Sequence, residues 1–220
     1  YRRLLRWDAN QRSDEPLTTV WYFFTYELAK DLIQPLIGQA LWNRYQDHQD
    51  PQFILTMDYL TEGRILAPWL GADDDRIARV QRTFQRALER LRAELGPNEA
   101  EWYWSGLHEL VLAHPSGMNA AGFGAGRLPH PGGRHTINVS NFSPSEGWHS
   151  THGVSLRFVA YMEGNKIHGQ AVLPPGEAGS PASPNFRNQL DLYRNGELRP
   201  MPFWPDELAP LRAAVELVPR

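Results

Sequence analysis

Six histidines, His108, His114, His130, His135, His149 and His152, fall within 45 residues, and imidazole serves both as metal ligand and as acid–base group. A metal site needs three or four converging ligands, presented on one face and held from behind. His149 and His152 are three apart, which suits a helix, but Glu146-Gly147 and Gly153 mark a turn there and no zinc spacing is matched. The histidines therefore read as polar-loop and packing residues, with a metalloprotein as the distant alternative. A serine triad has its residue types but no Gly-x-Ser-x-Gly elbow after a strand. Gly122-Phe-Gly-Ala-Gly126 lacks the Gly-Lys-Ser/Thr ending of a phosphate loop and reads as a flexible connection. Paired carboxylates for glycoside chemistry need a geometry that a sequence does not supply.

Arg157 stands among apolar residues on a predicted strand, where an unpaired charge would be costly. It requires a carboxylate or several backbone carbonyls, and reads first as a structural ion pair, with a substrate contact as the alternative. Trp7-Asp8 reads as an indole packed on a sheet beside an acid that caps a turn.

The elements that must position these groups fall into two halves. Leu17, Val20, Trp21, Phe24, Leu28 and Leu32 recur at helical spacing up to Pro35, and a second piece continues through Leu36, Leu41 and Tyr45. A further helix is opened by Asp50-Pro51 and closed by Pro68. Asp73-Asp74-Asp75 precedes Ile77, Val80, Phe84, Leu88, Leu91 and Leu95, an amphipathic stripe ended by Gly96-Pro97. Its arginine-rich side (Arg76, Arg79, Arg82, Arg86, Arg90, Arg92) reads as solvated rather than phosphate-binding. Asn98 caps a short helix carrying Trp102 and Trp104. From about residue 107 the period changes to two. Leu107 to Leu112, Thr136 to Val139, Val154 to Tyr161 and Ile167 to Leu173 are predicted strands, and Glu163-Gly164-Asn165 is a hairpin turn. At least one face of that sheet is expected to be buried. The segment from Gly117 to Gly133 is a long loop, Ser183-Pro184 and Pro205 open short helices, and Ala213 to Val218 returns as a final strand. The fold class is α+β, with residues 1–106 mainly helical and 107–220 rich in strands.

Composition narrows the function. With 41% hydrophobic residues, eight Trp and 220 residues, the chain can bury a sizeable core. A net charge of -3, with Lys30 and Lys166 as the sole lysines, gives no basic footprint for nucleic acid. Without cysteine there is no disulfide, thiolate site or Cys nucleophile, and no apolar run reaches the 18 residues of a membrane span. The start at Tyr1 lacks the pattern of a signal peptide and an initiator Met, and points to a processed, trimmed or partial chain.

A series of short motifs follows one order along the chain: Arg6-Trp7-Asp8-Ala9, Trp104-Ser-Gly-Leu-His108, His114-Pro-Ser-Gly117, Gly132-Gly-Arg-His-Thr-Ile-Asn138, Gly153-Val-Ser-Leu-Arg157, Pro175-Gly-Glu-Ala-Gly179, Ser183-Pro-Asn-Phe-Arg-Asn-Gln189 and Asn195-Gly-Glu-Leu-Arg-Pro-Met-Pro-Phe203. In order and spacing this series resembles the penicillin acylase (penicillin amidase) family from its Trp-Asp segment to its C-terminus. Departures from the usual residues are Ala9, Val154, Glu177, Ala178, Asn185 and Asn188.

The resemblance implies an N-terminal nucleophile hydrolase, whose precursor cleaves itself into α and β chains. The new N-terminal Ser of β then attacks an amide carbonyl, with its own α-amino group as base and an Asn side chain and N–H groups at the oxyanion. None of these can be placed here: Tyr1 is no nucleophile, Ser13 is internal, and Asn138 belongs to another motif. No catalytic residue and no metal ligand is therefore assigned in this chain, and the substrate-binding residues are left open. Calcium, found in many members, would be held by upstream segments. The chain is expected to be the last part of β, with strands completing an αββα core. Its expected partners are the rest of β, the α chain and a small-molecule amide such as a penicillin or an N-acyl homoserine lactone, with no nucleic acid and no membrane span. By resemblance its location is periplasmic or extracellular. The rival reading is a non-catalytic binding or scaffold domain that keeps the fold.

Overall fold

The computed structural model describes residues 2–70, 74–114, 124 and 126–208. The chain divides into two compact units, Tyr1–Val154 and Ser155–Arg220. Helices give way to strands earlier, at Glu109, so the first unit contains both.

Four helices build the first unit: α1 (Pro16–Tyr45), α2 (Gln49–Thr61), α3 (Ala67–Leu70) and α4 (Arg76–Leu95). The start of α1 has Glu15 as cap, its side chain accepting from Leu17 N at 3.0 Å, with Pro16 in the first turn. The expected interruption of this helix is present but displaced. Pro35 stays inside, and the non-helical residue is Gly38, with φ 78° and ψ 165°. A proline in a helix leaves the carbonyl four residues earlier without its donor. That carbonyl, on Asp31, accepts from Arg79 Nη1 of α4 at 3.3 Å, which lets the helix run past Pro35. Helix α2 ends before Pro68, which lies within α3, so Pro68 does not close it.

Helix α4 begins and ends as expected, with Asp75 Oδ1 accepting from Ala78 N at 3.0 Å and Gly96 at its end. Of its six arginines Arg76, Arg82, Arg86 and Arg92 are exposed, as expected, whereas Arg79 and Arg90 are half-buried. Arg79 pairs with Asp31 at 2.5 Å and Asp74 at 2.6 Å, Arg86 with Asp31 at 2.5 Å, and Arg90 with Glu27 at 3.3 Å. Arg76 donates to the Tyr59 and Thr61 carbonyls at the end of α2, where a cation is favoured. The reason is spacing: Thr83, Ala87 and Leu91 are the buried stripe, and Arg79, Arg86 and Arg90 flank it, within reach of α1. After α4, Asn98 caps a 3₁₀ turn at Glu99–Glu101, and a second turn, Trp104–Gly106, presents Trp104 to the core.

The strands of this unit are β1 (Glu109–Leu112), β2 (Gly126–Pro129), β3 (Ser140–Phe142) and β4 (Ser150–Gly153), in spatial order β2-β1-β4-β3. β1 runs parallel to β4 through Leu110 and Ser150, and the other two pairings are antiparallel. Thr136 to Val139 is a turn rather than a strand, because its side chains are spent on the backbone of the preceding glycines, as described below.

In the second unit β5 (Arg157–Glu163), β6 (Lys166–Val172) and β7 (Arg199–Met201) form a sheet in that order, followed in sequence after β6 by α5 (Leu190–Asn195). The expected hairpin is present, with Glu163 opposite Lys166 across a two-residue turn. The expected burial of one face is not found: Phe158 is 44% exposed, Val159 48%, Tyr161 50% and Met162 71%. Ser183-Pro184 opens turns rather than a helix, with Ser183 Oγ accepting from Asn185 N at 3.1 Å, and α5 starts at Leu190. Pro205–Glu207 is a 3₁₀ turn in which Glu207 accepts from Phe203 and Trp204 N–H. The glycine-rich Gly122–Gly126 run, apart from Gly124 and Gly126, and the expected strand Ala213 to Val218 lie outside the described residues, as do Pro115 to Gly117.

Candidate functional site

The centre of the first unit is a stack of rings. Trp104 lies between Tyr22 of α1 and His108, both centroids at 4.6 Å, while Phe142 of β3 meets Tyr22, Trp104 and His108 edge-on. Trp148 stacks on Phe23 at 4.6 Å, and its backbone is left-handed at φ 69°. That conformation is costly for a bulky residue, and here it accompanies an indole buried in the core and a carbonyl that meets His108. His108 Nδ1 lies 2.8 Å from that carbonyl, while Nε2 is buried with no hydrogen-bond partner. Burial therefore pushes the imidazole down to about 4, and His108 is neutral at pH 7. His130 is also buried, its ring 6.2 Å from that of His108, and its N–H donates to the His108 carbonyl.

The motif Gly132 to Asn138 is a clamp around this stack. Trp104 Nε1 donates to the Gly132 carbonyl at 2.8 Å, and Gly132 N donates to Gln11 O at 2.8 Å. Thr136 Oγ1 bonds both N–H and C=O of Gly133, and Asn138 Nδ2 donates to Pro131 O at 3.0 Å. A Cβ on Gly133 would collide with the Tyr22 hydroxyl, which itself donates to Gln11 Oε1 at 2.6 Å. The spacing Gly-Gly-x-x-Thr-x-Asn is thus the spacing of a self-bonded turn. Asp8 behaves similarly: Oδ1 accepts from Asn10 N at 3.0 Å, and the acid caps a turn.

Two cavities open beside this frame. One, of about 50 Å³, is walled chiefly by rings, among them Trp21, Tyr26, Phe53, Phe142 and Trp148, with Gln52 and Thr56 as polar members. The other, of about 430 Å³, is polar and is lined by Asp47, His48, Asp50, Arg134, Asn141, Ser143, Glu146, His149 and His152. Arg134 Nε donates to Asp50 Oδ1 at 2.7 Å, with a second, shorter bond from Nη2 to Oδ2. That bidentate bond holds the Asp50 carboxyl below the usual carboxylate range. Asp47 accepts from Ser145 N at 3.1 Å and Ser145 Oγ at 2.6 Å. His135 stacks on Phe53 at 3.9 Å, and burial lowers its imidazole.

The six histidines are thus divided. His108 and His130 are core, His135 is a packing ring, and His149 and His152 reach the polar cavity; His114 is not placed at it. Asp47, His48, Asp50 and Glu146 were not anticipated there. The contact between Asp47 and Ser145 spans 98 residues, and no local pattern announces it. Among the described residues no group of three or more His, Asp or Glu is placed to hold a metal ion.

In the second unit Gln189 joins two of the motifs. Its N–H donates to Pro175 O at 3.1 Å, its Oε1 accepts from Leu173 N at 2.9 Å, and its Nε2 donates to Glu177 at 3.3 Å. A Cβ on Gly176 would strike the Asn185 carbonyl, so the two loops meet there through bare backbone. Glu177 also pairs with Arg199, which accounts for an acid at that position. Arg157 Nη1 donates to the Tyr193 carbonyl at 2.9 Å, with its guanidinium 4.3 Å from the Tyr193 ring centroid. Of the partners expected for Arg157, a carboxylate or several backbone carbonyls, one backbone carbonyl is described.

The motifs around Trp104, Gly132 to Asn138, Gly176 and Gln189 thus hold backbone and core together. The family profile described as penicillin amidase matches residues 1–210. The chain belongs to the penicillin amidase family. Among curated members it is 25% identical over 215 residues to the acyl-homoserine lactone acylase QuiP of Pseudomonas fluorescens (strain Pf0-1), covering 93% of this chain and 25% of that protein. It is 23% identical over 232 residues to QuiP of Pseudomonas aeruginosa, covering 94% of this chain and 27% of that protein. The chain spans about a quarter of the length of these relatives. A thermostable penicillin G acylase from Alcaligenes faecalis shares the fold, with a TM-score of 0.53, 15% identity, and coverage of 98% of this chain and 42% of that one. The mixed architecture, helical in its first half, agrees with the fold of this penicillin amidase relative. No helix of the described residues is long and apolar enough to cross a membrane.

Proposed function

We propose that these residues are the C-terminal part of the β subunit of a penicillin acylase-like amidohydrolase, which cleaves the amide bond of N-acyl substrates through an N-terminal Ser outside this chain. The observation that carries this reading is the match over residues 1–210 together with a span of only about a quarter of the relatives' length. In the reaction the Ser hydroxyl adds to the amide carbonyl while the α-amino group takes its proton. The amine then leaves with a proton, and water releases the acid from the acyl-enzyme. Within that scheme the present residues act as frame: the Trp104 stack, the Gly132 to Asn138 clamp and the Gln189 junction hold motifs that touch no substrate. Calcium would be held by upstream segments; among the described residues no group of three or more His, Asp or Glu is placed to hold it.

The acyl-homoserine lactone acylases among the relatives make an N-acyl homoserine lactone the first substrate to test, and a penicillin the second. The polypeptide from the complete coding sequence should release amine from one of them, and its upstream nucleophile Ser→Ala variant should not. The 220-residue piece alone should release none. Turnover by the pure piece would refute this placement of the nucleophile, and a complete sequence without a processing site followed by a Ser would favour the scaffold reading.

A further inference from the structure

These two cavities of the first unit adjoin as one groove: they share Phe142, and of the consecutive residues Arg134 and His135, and His149 and Trp148, the first of each pair lines the polar cavity and the second the ring-walled one. At the polar end three carboxylates, Asp47, Asp50 and Glu146, face the single guanidinium of Arg134. Asp47 and Asp50 are fixed in the wall by Ser145 and Arg134, whereas Glu146 is exposed. With three carboxylates against one guanidinium this end suits a cation. The ring-walled end includes Thr56, which is 0% exposed and whose Oγ1 has no hydrogen-bond partner. A buried hydroxyl without a partner is costly, and a helical Thr ordinarily donates to the carbonyl four residues back. The space at this end, about 50 Å³, is a fraction of the roughly 150 Å³ that takes benzene, so it admits a small group and not a ring.

We propose that the groove receives a segment of the same longer polypeptide from outside these 220 residues. That segment seats a small side chain in the ring-walled end, with a polar atom in reach of Thr56 Oγ1, and places a Lys or Arg at the polar end. The proposal rests on the reading that the chain is one part of a longer amidohydrolase, since the relatives are about four times as long as the stretch it matches. The test uses the polypeptide expressed from its complete coding sequence, with the photo-crosslinker p-benzoylphenylalanine at the exposed position His48 and crosslinks mapped by mass spectrometry. Capture of a peptide from outside residues 1–220, with a Lys or Arg within a few positions, is expected. Glu146→Lys should lower that capture several-fold, and replacing the captured basic residue by Glu in the same chain should restore it. Crosslinks confined to residues 1–220, to a small molecule, or to an outside segment without a basic residue overturn the proposal. So does a yield indifferent to Glu146→Lys. Acylase activity is read on the same sample. An active enzyme with crosslinks only inside these residues defeats the groove assignment alone, and an inactive protein with the expected crosslink defeats only the acylase reading.

Discussion

His108 is a base enclosed by Trp104 and Phe142, with one nitrogen tied to the Trp148 carbonyl and the other unpartnered. Its folded form takes a proton only near pH 4, against an ordinary 6.5, so between these values the unfolded chain binds the proton and the folded one does not. Stability is therefore complete above about pH 6.5 and falls as the pH drops towards 4. The loss amounts to roughly 3 kcal/mol, at about 1.4 kcal/mol per pH unit. Urea unfolding of the protein at pH 7 and pH 4.5 should show that slope, and His108→Gln should flatten it; an unchanged slope would refute the assignment. Ala9 is strained in a different way, with a left-handed φ of 58°. A left-handed L-residue costs about 1–2 kcal/mol, and the extra freedom of glycine in the unfolded chain returns about 0.4–1 kcal/mol of that. Ala9→Gly should accordingly raise stability by about 0.5–1 kcal/mol in thermal unfolding, and a loss of that size would contradict the strain argument.

At the scale of elements, the α1–α4 pair depends on a defect. Pro35 frees the Asp31 carbonyl, and Arg79 takes both that carbonyl and the Asp31 carboxylate while reaching Asp74. Its side chain is 18% exposed, between the surface pairs worth about 0–1 kcal/mol and buried pairs whose disruption costs about 3–5 kcal/mol. Arg79→Met should cost about 2–3 kcal/mol in denaturant unfolding and Arg86→Met, at 47% exposure, under about 1 kcal/mol. Part of the Arg79→Met loss should return with Asp31→Asn, which removes the stranded charge, and equal losses at Arg79 and Arg86 would exclude this account. The element boundaries that could be read in advance were those with a local chemical signal: Asp75 and Gly96 around α4, Asn98, and the turn at Gly164-Asn165. Those that could not depended on distant partners. The Asp31 carbonyl freed by Pro35 is taken by Arg79, 48 residues further along, and the pair of Arg134 with Asp50 spans 84 residues. The polar cavity was invisible for the same reason, because its walls meet only after folding, while two of its three histidines, His149 and His152, stood out in the sequence as part of a cluster.

At the scale of the molecule, the second unit is short of core. Its buried side chains among the described residues are Val172, Phe186, Gln189 and Tyr193. By register Phe158, Ala160, Met162, Ile167, Gly169, Ala171 and Met201 share one sheet face, and Phe203 packs on Gly169 from that side. Phe158, Met162, Ile167, Met201 and Phe203 are each between 40% and 71% exposed. An apolar face of this kind marks an interaction surface, since covering a half-exposed large side chain contributes about 1 kcal/mol. In the reading proposed above the cover is the remaining polypeptide of the amidohydrolase. The isolated 220-residue chain should then self-associate in light scattering and bind a hydrophobic dye, and Phe158→Lys with Met162→Lys should reduce both. In the complete protein the same pair should instead lower the yield of assembled enzyme, because a charge is placed where apolar contact is required. A monodisperse, cooperatively unfolding monomer of the isolated chain, or a complete protein indifferent to both lysines, would mean that this face is finished as it stands and that the motif series marks a self-sufficient scaffold.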